Sequence, residues 1–343
     1  MIKKTTERVV KCPQCLAPLS PKHFAASIVC DYCGTAVQLD PTAVHAERFQ
    51  RALKEWNDPG THGYETWWSL EKSHWAPGPL LARGDMTDVY AAERARTPTE
   101  RVVMKVLRDP AHLPLFEHEW QVLRDLQASE ANGAPTFAAL LPRPVTRGVL
   151  RSGPFVDHSA MVLRWPSGFL HTFEDVRRAY PSGVPAQTTV WMWRRILESL
   201  SFIHRSGYVH GAVLPPHLLI QQGEHGLRLL GFSCAERIGL PLRAFHPYYQ
   251  SFYPGGVLAT RRLQVEDDLR MSALCIISLL GGDPERGTVP GSVPAPLALL
   301  LRQVGVGEHV HGNGDMAWTL RERVGEVGTA VFGPPSFQPL VMP

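Results

Sequence analysis

Tyr208-Val209-His210-Gly211-Ala212-Val213-Leu214-Pro215-Pro216-His217-Leu218-Leu219-Ile220 lies between two segments whose form can be read from residue spacing. Upstream, Val190, Trp193, Leu197, Leu200 and Ile203 recur at helical intervals and Gly207 can serve as a C-terminal cap. A helix is therefore expected over 188–206. Downstream, Leu218-Leu219-Ile220 reads as a short buried strand. Between them Pro215-Pro216 rules out a regular helix. The stretch contains histidines, prolines and apolar residues, with no carboxylate and no side-chain amide.

The rest of the chain sets bounds on what such a loop can belong to. It has 343 residues, 44% of them hydrophobic, and a mean hydropathy of −0.12, which suit a soluble globular protein of one large or two unequal domains. No apolar run approaches the roughly 20 residues needed to cross a bilayer. Met1-Ile2-Lys3-Lys4 is basic but leads into no apolar segment, so neither a secretory signal nor a membrane location is expected, and the cytoplasm is the expected compartment. The formal net charge is +3, too small to imply long-range attraction to nucleic acid or anionic lipid.

Near the N-terminus, Cys12-Pro13-Gln14-Cys15 and Cys30-Asp31-Tyr32-Cys33-Gly34 form two Cys-x2-Cys pairs. The doubled spacing matches tetrahedral zinc held by Cys12, Cys15, Cys30 and Cys33 in a ribbon over residues 1–40. A reducing compartment disfavours disulfides, and the duplication disfavours a lone redox motif. So short a segment has little core, and metal would supply much of its folding energy. It lacks a dense basic face interleaved with aromatics, so structure or protein docking is expected of it in preference to nucleic-acid binding. Asp40-Pro41 opens an expected helix that stops at Asn57-Asp58-Pro59-Gly60, within a helical connector over 41–75.

From about Leu80 the pattern turns to strands. Lys105 sits within the apolar run Val102–Leu107, where an unpaired ammonium would be costly. Downstream, 113–126 reads as an amphipathic helix. At 100° per residue Leu115, Phe116, Trp120, Val122, Leu123 and Leu126 cover one arc, with Glu119 at its centre. A carboxylate there requires a cation, and Lys105–Glu119 is the expected pair.

Taken in order, these segments resemble a protein kinase over about residues 78–332. Leu81–Tyr90 resembles the glycine-rich loop, keeping only its middle glycine as Gly84, with Ala82 and Thr87 at the flanking positions. Lys105 and Glu119 coincide with the family's strand lysine and helix glutamate. Met161–Gly168 resembles the interlobe hinge, with Leu163 at the gatekeeper position. The opening stretch resembles the catalytic loop, but Ala212 stands at the catalytic Asp, Leu214 at the Lys and His217 at the metal-binding Asn. Leu229-Leu230-Gly231-Phe232-Ser233 resembles the segment around Asp-Phe-Gly, with the magnesium-binding Asp replaced by Gly231. Asp268, on an expected helix running to about 280, matches an Asp that holds the catalytic loop. No Ala-Pro-Glu closes the activation segment; Tyr253-Pro254-Gly255-Gly256 stands near its place. Gly282 to Pro296 leaves little room for helix αG.

The resemblance implies an α+β, bilobal kinase-like fold: a β-rich N-lobe, then a helical C-lobe with a reduced αG region. It would occupy 76–332, after the zinc ribbon and connector and before a tail over 333–343. Gly84, Val89, Lys105 and Glu119 would bound a nucleotide cleft. No catalytic residue is assigned, because phosphoryl transfer relies on positioning, magnesium and a base, and Ala212, His217 and Gly231 remove the base and both metal-binding side chains. Zinc is the expected structural cofactor and ATP a candidate ligand, with magnesium not expected. The implied function is an inactive regulatory or scaffolding module with a protein partner. The alternatives are a nucleotide-binding switch without phosphotransfer and a divergent active Ser/Thr kinase. Glu224 and Glu236 are acidic residues nearby in sequence, with nothing in their spacing to favour either as a replacement base. Cys234 and Cys275 read as small buried apolar residues.

Overall fold

The computed structural model describes residues 10–11, 17–19, 27–30, 32, 36–38 and 67–342, except 85, 95–96, 166–167, 222–224, 308–313 and 338–339. Two short hairpins come first: β1 (Val10–Lys11) with β2 (Pro18–Leu19), and β3 (Ser27–Val29) with β4 (Ala36–Gln38). Next come β5 (Trp68–Leu70), β6 (Ser73–Arg83), β7 (Thr87–Arg94), β8 (Thr97–Leu107), α1 (Leu113–Gln127), α2 (Ala134–Phe137), β9 (Pro144–Val149) and β10 (Ser159–Arg164). Six of these strands form one antiparallel sheet in the order β5-β6-β7-β8-β10-β9.

Alternation along β8 divides the sheet's two faces. Val102, Met104 and Val106 turn toward a cluster with Trp68, Leu70, Trp75, Leu150 and Val162. Leu107 packs on the opposite side with Phe116, Trp120 and Leu123 of α1. Lys105 falls on that second face, beside α1.

The remaining elements are β11 (His171–Thr172), α3 (Phe173–Ala179), α4 (Ala186–Arg205), β12 (Tyr208–Val209), β13 (Leu218–Gln221), β14 (Gly226–Leu229), β15 (Glu236–Arg237), α5 (Val257–Thr260), α6 (Val265–Leu279), α7 (Ala295–Gly305) and α8 (Met316–Phe332). The architecture is α+β, with the strands concentrated before the long helices. α4 and α6 are joined inside the helical body by Trp193 Nε1 donating to Ser272 Oγ at 2.9 Å. Between α6 and α7 the described residues carry only the isolated bridge Asp283–Thr288 and no helix. No helix among the described residues is long and apolar enough to cross a membrane.

One boundary differs from expectation. The stretch 41–75 was expected to be a helical connector, but the sheet already begins at Trp68, whose hairpin pairs Trp68 with Trp75. Trp68 and Leu70 are buried on one face of that short strand, and Glu71 takes a positive φ of 52° at the turn. That turn carries no Gly or Asn to mark it in sequence. The expected helix over 41–56 lies outside the described residues. The tail after α8 is docked: Leu340 is buried, and the Tyr180 hydroxyl donates to the Val341 carbonyl. The His225 ring is stacked between Trp191 and Phe337.

Candidate functional site

Lys105 lies on the strand flanked by β7 and β10, opposite Val89 on one side and Met161 on the other. Its Nζ donates to Glu119 Oε2, and the Glu119 side chain is 2% exposed. The pair expected from burial is thus formed, with Glu119 set among Phe116, Trp120 and Leu123 on α1. Gly84 lies at the turn between β6 and β7, where its N–H donates to Thr87 O at 2.9 Å. Its carbonyl accepts from the Arg108 guanidinium. Arg108 also stands 3.7 Å from Asp88, which accepts from Arg83 at 3.2 Å. The hairpin tip is therefore tied to the end of β8 by a residue that sequence reading did not single out.

The loop from Tyr208 to His217 is held from beneath by α6. Asp268 Oδ2 accepts from His210 N at 2.7 Å and from His204 Nε2 at 2.9 Å, while Oδ1 accepts from Gly211 N at 2.9 Å. Burial would raise the Asp268 pKa, but the His204 hydrogen bond and the imidazoles beside it hold the carboxyl below its ordinary value. Gly211 has φ 72°, which places both N–H groups toward that carboxylate at little steric cost. The His210 ring bridges the loop to the next segment. Its Nε2 donates to Leu230 O at 3.0 Å, its Nδ1 accepts from Ala212 N at 3.2 Å, and Phe232 packs edge-on at 4.7 Å. With a carbonyl on one nitrogen and an N–H on the other, the neutral tautomer is defined. Burial pushes its pKa down to about 4.

His217 carries the most informative contact. Its Nδ1 donates to Ala212 O at 2.8 Å, and its ring lies 4.9 Å from that of His246. Burial, then His246, lowers its pKa well below the ordinary value, so it is a neutral imidazole. Gly231, with φ 78°, lies under this ring: a Cβ there would come within 2.5 Å of ring atoms of His217. His217 thus fills the space that any side chain at 231 would need. Ala212 is fully buried.

Together these groups border a cleft of about 1900 Å³ between the sheet and the helical body, whose walls include Val89, Lys105, Leu163, His217 and Leu219. Met86 and Leu163 both lie in its wall. Of the three carboxylates bordering it among the described residues, Glu119 is held by Lys105, Asp175 caps α3 by accepting from Thr172 N at 2.8 Å, and the exposed Glu130 lies just beyond the end of α1. Glu236 accepts from Arg243 at 2.9 Å and is not among the bordering residues, which removes it as a replacement base; Glu224 lies outside the described residues. The cleft floor can shape a ligand and offer a paired cation and a neutral imidazole. Among the described residues no carboxylate pairs with His217.

Sequence reading missed His246, and it missed that His118 would contribute a contact at 2.6 Å to Ala235 O, tying α1 to the segment after β14. Both depend on partners far along the chain, and neither interrupts a local pattern.

Of the four cysteines, Cys30 is buried at the end of β3, whereas Cys12, Cys15 and Cys33 lie outside the described residues. Among the described residues there is no group of three or more His, Cys, Asp or Glu side chains placed to hold a metal. The chain joining β1 to β2 contains Cys12 and Cys15, and that joining β3 to β4 contains Cys30 and Cys33.

No protein-family model matches the chain. Among curated proteins it is similar to one from Streptomyces coelicolor described as a "probable serine/threonine-protein kinase", with 25% identity over 166 residues. That match takes in 47% of this chain and 22% of the relative. It indicates a kinase-like relationship; the relative's own activity belongs to a protein of which only about a fifth is matched.

Proposed function

We propose that this chain is a pseudokinase. Its bilobal kinase-like domain starts at Trp68 and runs to about 332, followed by the tail over 333–343. It works in the cytoplasm by binding a protein partner, as a regulatory or scaffolding module. Residues 1–40 form a zinc ribbon on Cys12, Cys15, Cys30 and Cys33 that adds a docking surface. The observation that carries this reading is the seating of His217 over Gly231. Magnesium needs hard oxygen ligands, and here an imidazole takes the space of a side chain at 231. A general base contributes about 10² to 10⁴ in rate, and Ala212 has none to offer.

The open cleft and the Lys105–Glu119 pair support a second reading, a nucleotide-responsive switch without phosphotransfer. One series tests both. With labelled ATP and magnesium or manganese, the protein is expected to incorporate no phosphate into itself or generic substrates, with Lys105→Ala indistinguishable from wild type. Robust incorporation abolished by Lys105→Ala would mean a divergent active kinase. Thermal shift with ATP decides the switch: stabilisation that does not depend on magnesium supports it, and no shift at millimolar nucleotide excludes it.

A further inference from the structure

Arg228 lies on β14 opposite Leu219 of β13, and both border the cleft together with Ala139 and Phe169. Its Nη1 donates to the Ala139 carbonyl, and its guanidinium carbon stands 5.1 Å from the centre of the Phe169 ring. Neither partner is charged, and among the described residues no carboxylate pairs with it. Its Nε is buried without an acceptor. Other interior cations differ: Arg195 and Arg321 share Glu198 at 2.6 and 3.0 Å, and Lys105 has Glu119. Burial, with no acid to oppose it, pushes the Arg228 pKa down to about 10, which still leaves a full positive charge at neutral pH. Nor does holding a carbonyl explain a guanidinium here. The neighbouring carbonyls of Ala138 and Pro142 accept from Gln127 Nε2 at 2.8 and 3.5 Å, a neutral amide.

We propose that the cleft binds a small aromatic carboxylic acid, its carboxylate paired with Arg228 and its ring against the apolar wall that includes Leu163 and Leu219. The inference stands on the cleft itself and does not depend on the partner-binding reading. A buried cation with no counter-charge is costly, and an anion entering from the cleft removes much of that cost. Among the described residues the wall carries six arginines or lysines against three carboxylates, so an acid is drawn in and a base is turned away. One unpaired guanidinium balances one carboxylate, whereas a phosphate dianion would stay half neutralised. Leu163 and Leu219 border the same space, so a ligand with an apolar body gains burial besides the ion pair. A cavity of about 1900 Å³ leaves ample room for a fused aromatic ring.

The test uses the full chain, with 1-naphthoate as probe and the neutral 1-naphthamide as its control. Each is titrated calorimetrically into wild type, Arg228→Gln, Arg228→Lys and Arg147→Gln. Glutamine keeps a donor for the Ala139 carbonyl and loses the charge. Arg147 is exposed on β9 and lies outside the cleft wall, so its substitution controls for net charge. Wild type is expected to bind 1-naphthoate at least about tenfold more tightly than 1-naphthamide. That preference should vanish in Arg228→Gln, survive in Arg228→Lys and stay within about twofold of wild type in Arg147→Gln. Hydrogen exchange should slow over 136–141 and 226–230 when 1-naphthoate is added. If Arg228→Gln does not fold, the preference in wild type and Arg228→Lys, with the exchange pattern, still decides. Equal affinity for the two probes, or no binding of 1-naphthoate, overturns the proposal. So does an acid preference that persists in Arg228→Gln or is lost equally in Arg147→Gln, and so does exchange unchanged over both segments.

Discussion

At the scale of single residues, His217 and Gly231 have to be understood together. The imidazole is fixed by Ala212 O and covers Gly231 so closely that a Cβ would lie 2.5 Å from the ring. Restoring an acid at 231 therefore fails for steric reasons before any chemistry is considered. Gly231→Asp is expected to cost at least about 2 kcal/mol through overpacking and a buried carboxylate. His217→Asn/Gly231→Asp should recover most of that loss, with a coupling of about 1 kcal/mol or more. Urea denaturation of wild type, both single variants and the double variant gives the cycle. Additive effects would show that the ring is free to move aside. The left-handed φ of 78° at 231 strains any side chain there, Asp less than most, so the double variant keeps part of the loss.

At the scale of elements, α6 holds the loop before β13 through one carboxylate. Asp268 accepts two backbone N–H groups and one imidazole, so an asparagine amide in its place cannot serve all three. Asp268→Asn leaves a buried donor unmet, at a cost of about 1–3 kcal/mol. Hydrogen exchange should rise first at 208–214; protection there equal to wild type would mean that the loop is held by its own packing. Much of this arrangement was legible in the sequence. The spacing of apolar residues gave α1 and α4 to within a few residues, because each buries one continuous face, and α6 followed from the resemblance. Glu119 stands out because a carboxylate at the centre of such a face needs a cation, and Lys105 lies within an apolar strand. The sheet's first strand was not legible, since a Glu-Lys turn with Glu71 at φ 52° lacks turn chemistry. Nor were the roles of Arg108, His118 and His246. Their partners lie tens to hundreds of residues away, and an exposed-type residue that finds a distant carbonyl leaves no trace in local spacing.

At the scale of the whole molecule, the histidines at the seam between sheet and helices set how stability responds to acid. His210 has its pKa pushed down to about 4 by burial, and His217 is lowered in the same direction. Their unfolded counterparts titrate near 6.5, so between about pH 6.5 and 4 the unfolded chain binds more protons than the folded one. Stability therefore rises with pH across that window, is complete above it, and is lost as pH falls. At pH 5 His210 alone forfeits about 2 kcal/mol relative to neutral pH, and His217 adds a loss of the same sign. Asp268, whose pKa is lowered, contributes stability that fades only below its ordinary value of 3.8, so the first acid transition belongs to the imidazoles. Because His210 joins the loop to Leu230 and Phe232, its protonation acts on the join between that loop and the segment after β14. Urea midpoints measured from pH 8 to 5 should fall steadily below about 6.5, with a shallower slope in His217→Asn. A flat profile over that range, or an unchanged slope in the variant, would place the acid sensitivity elsewhere.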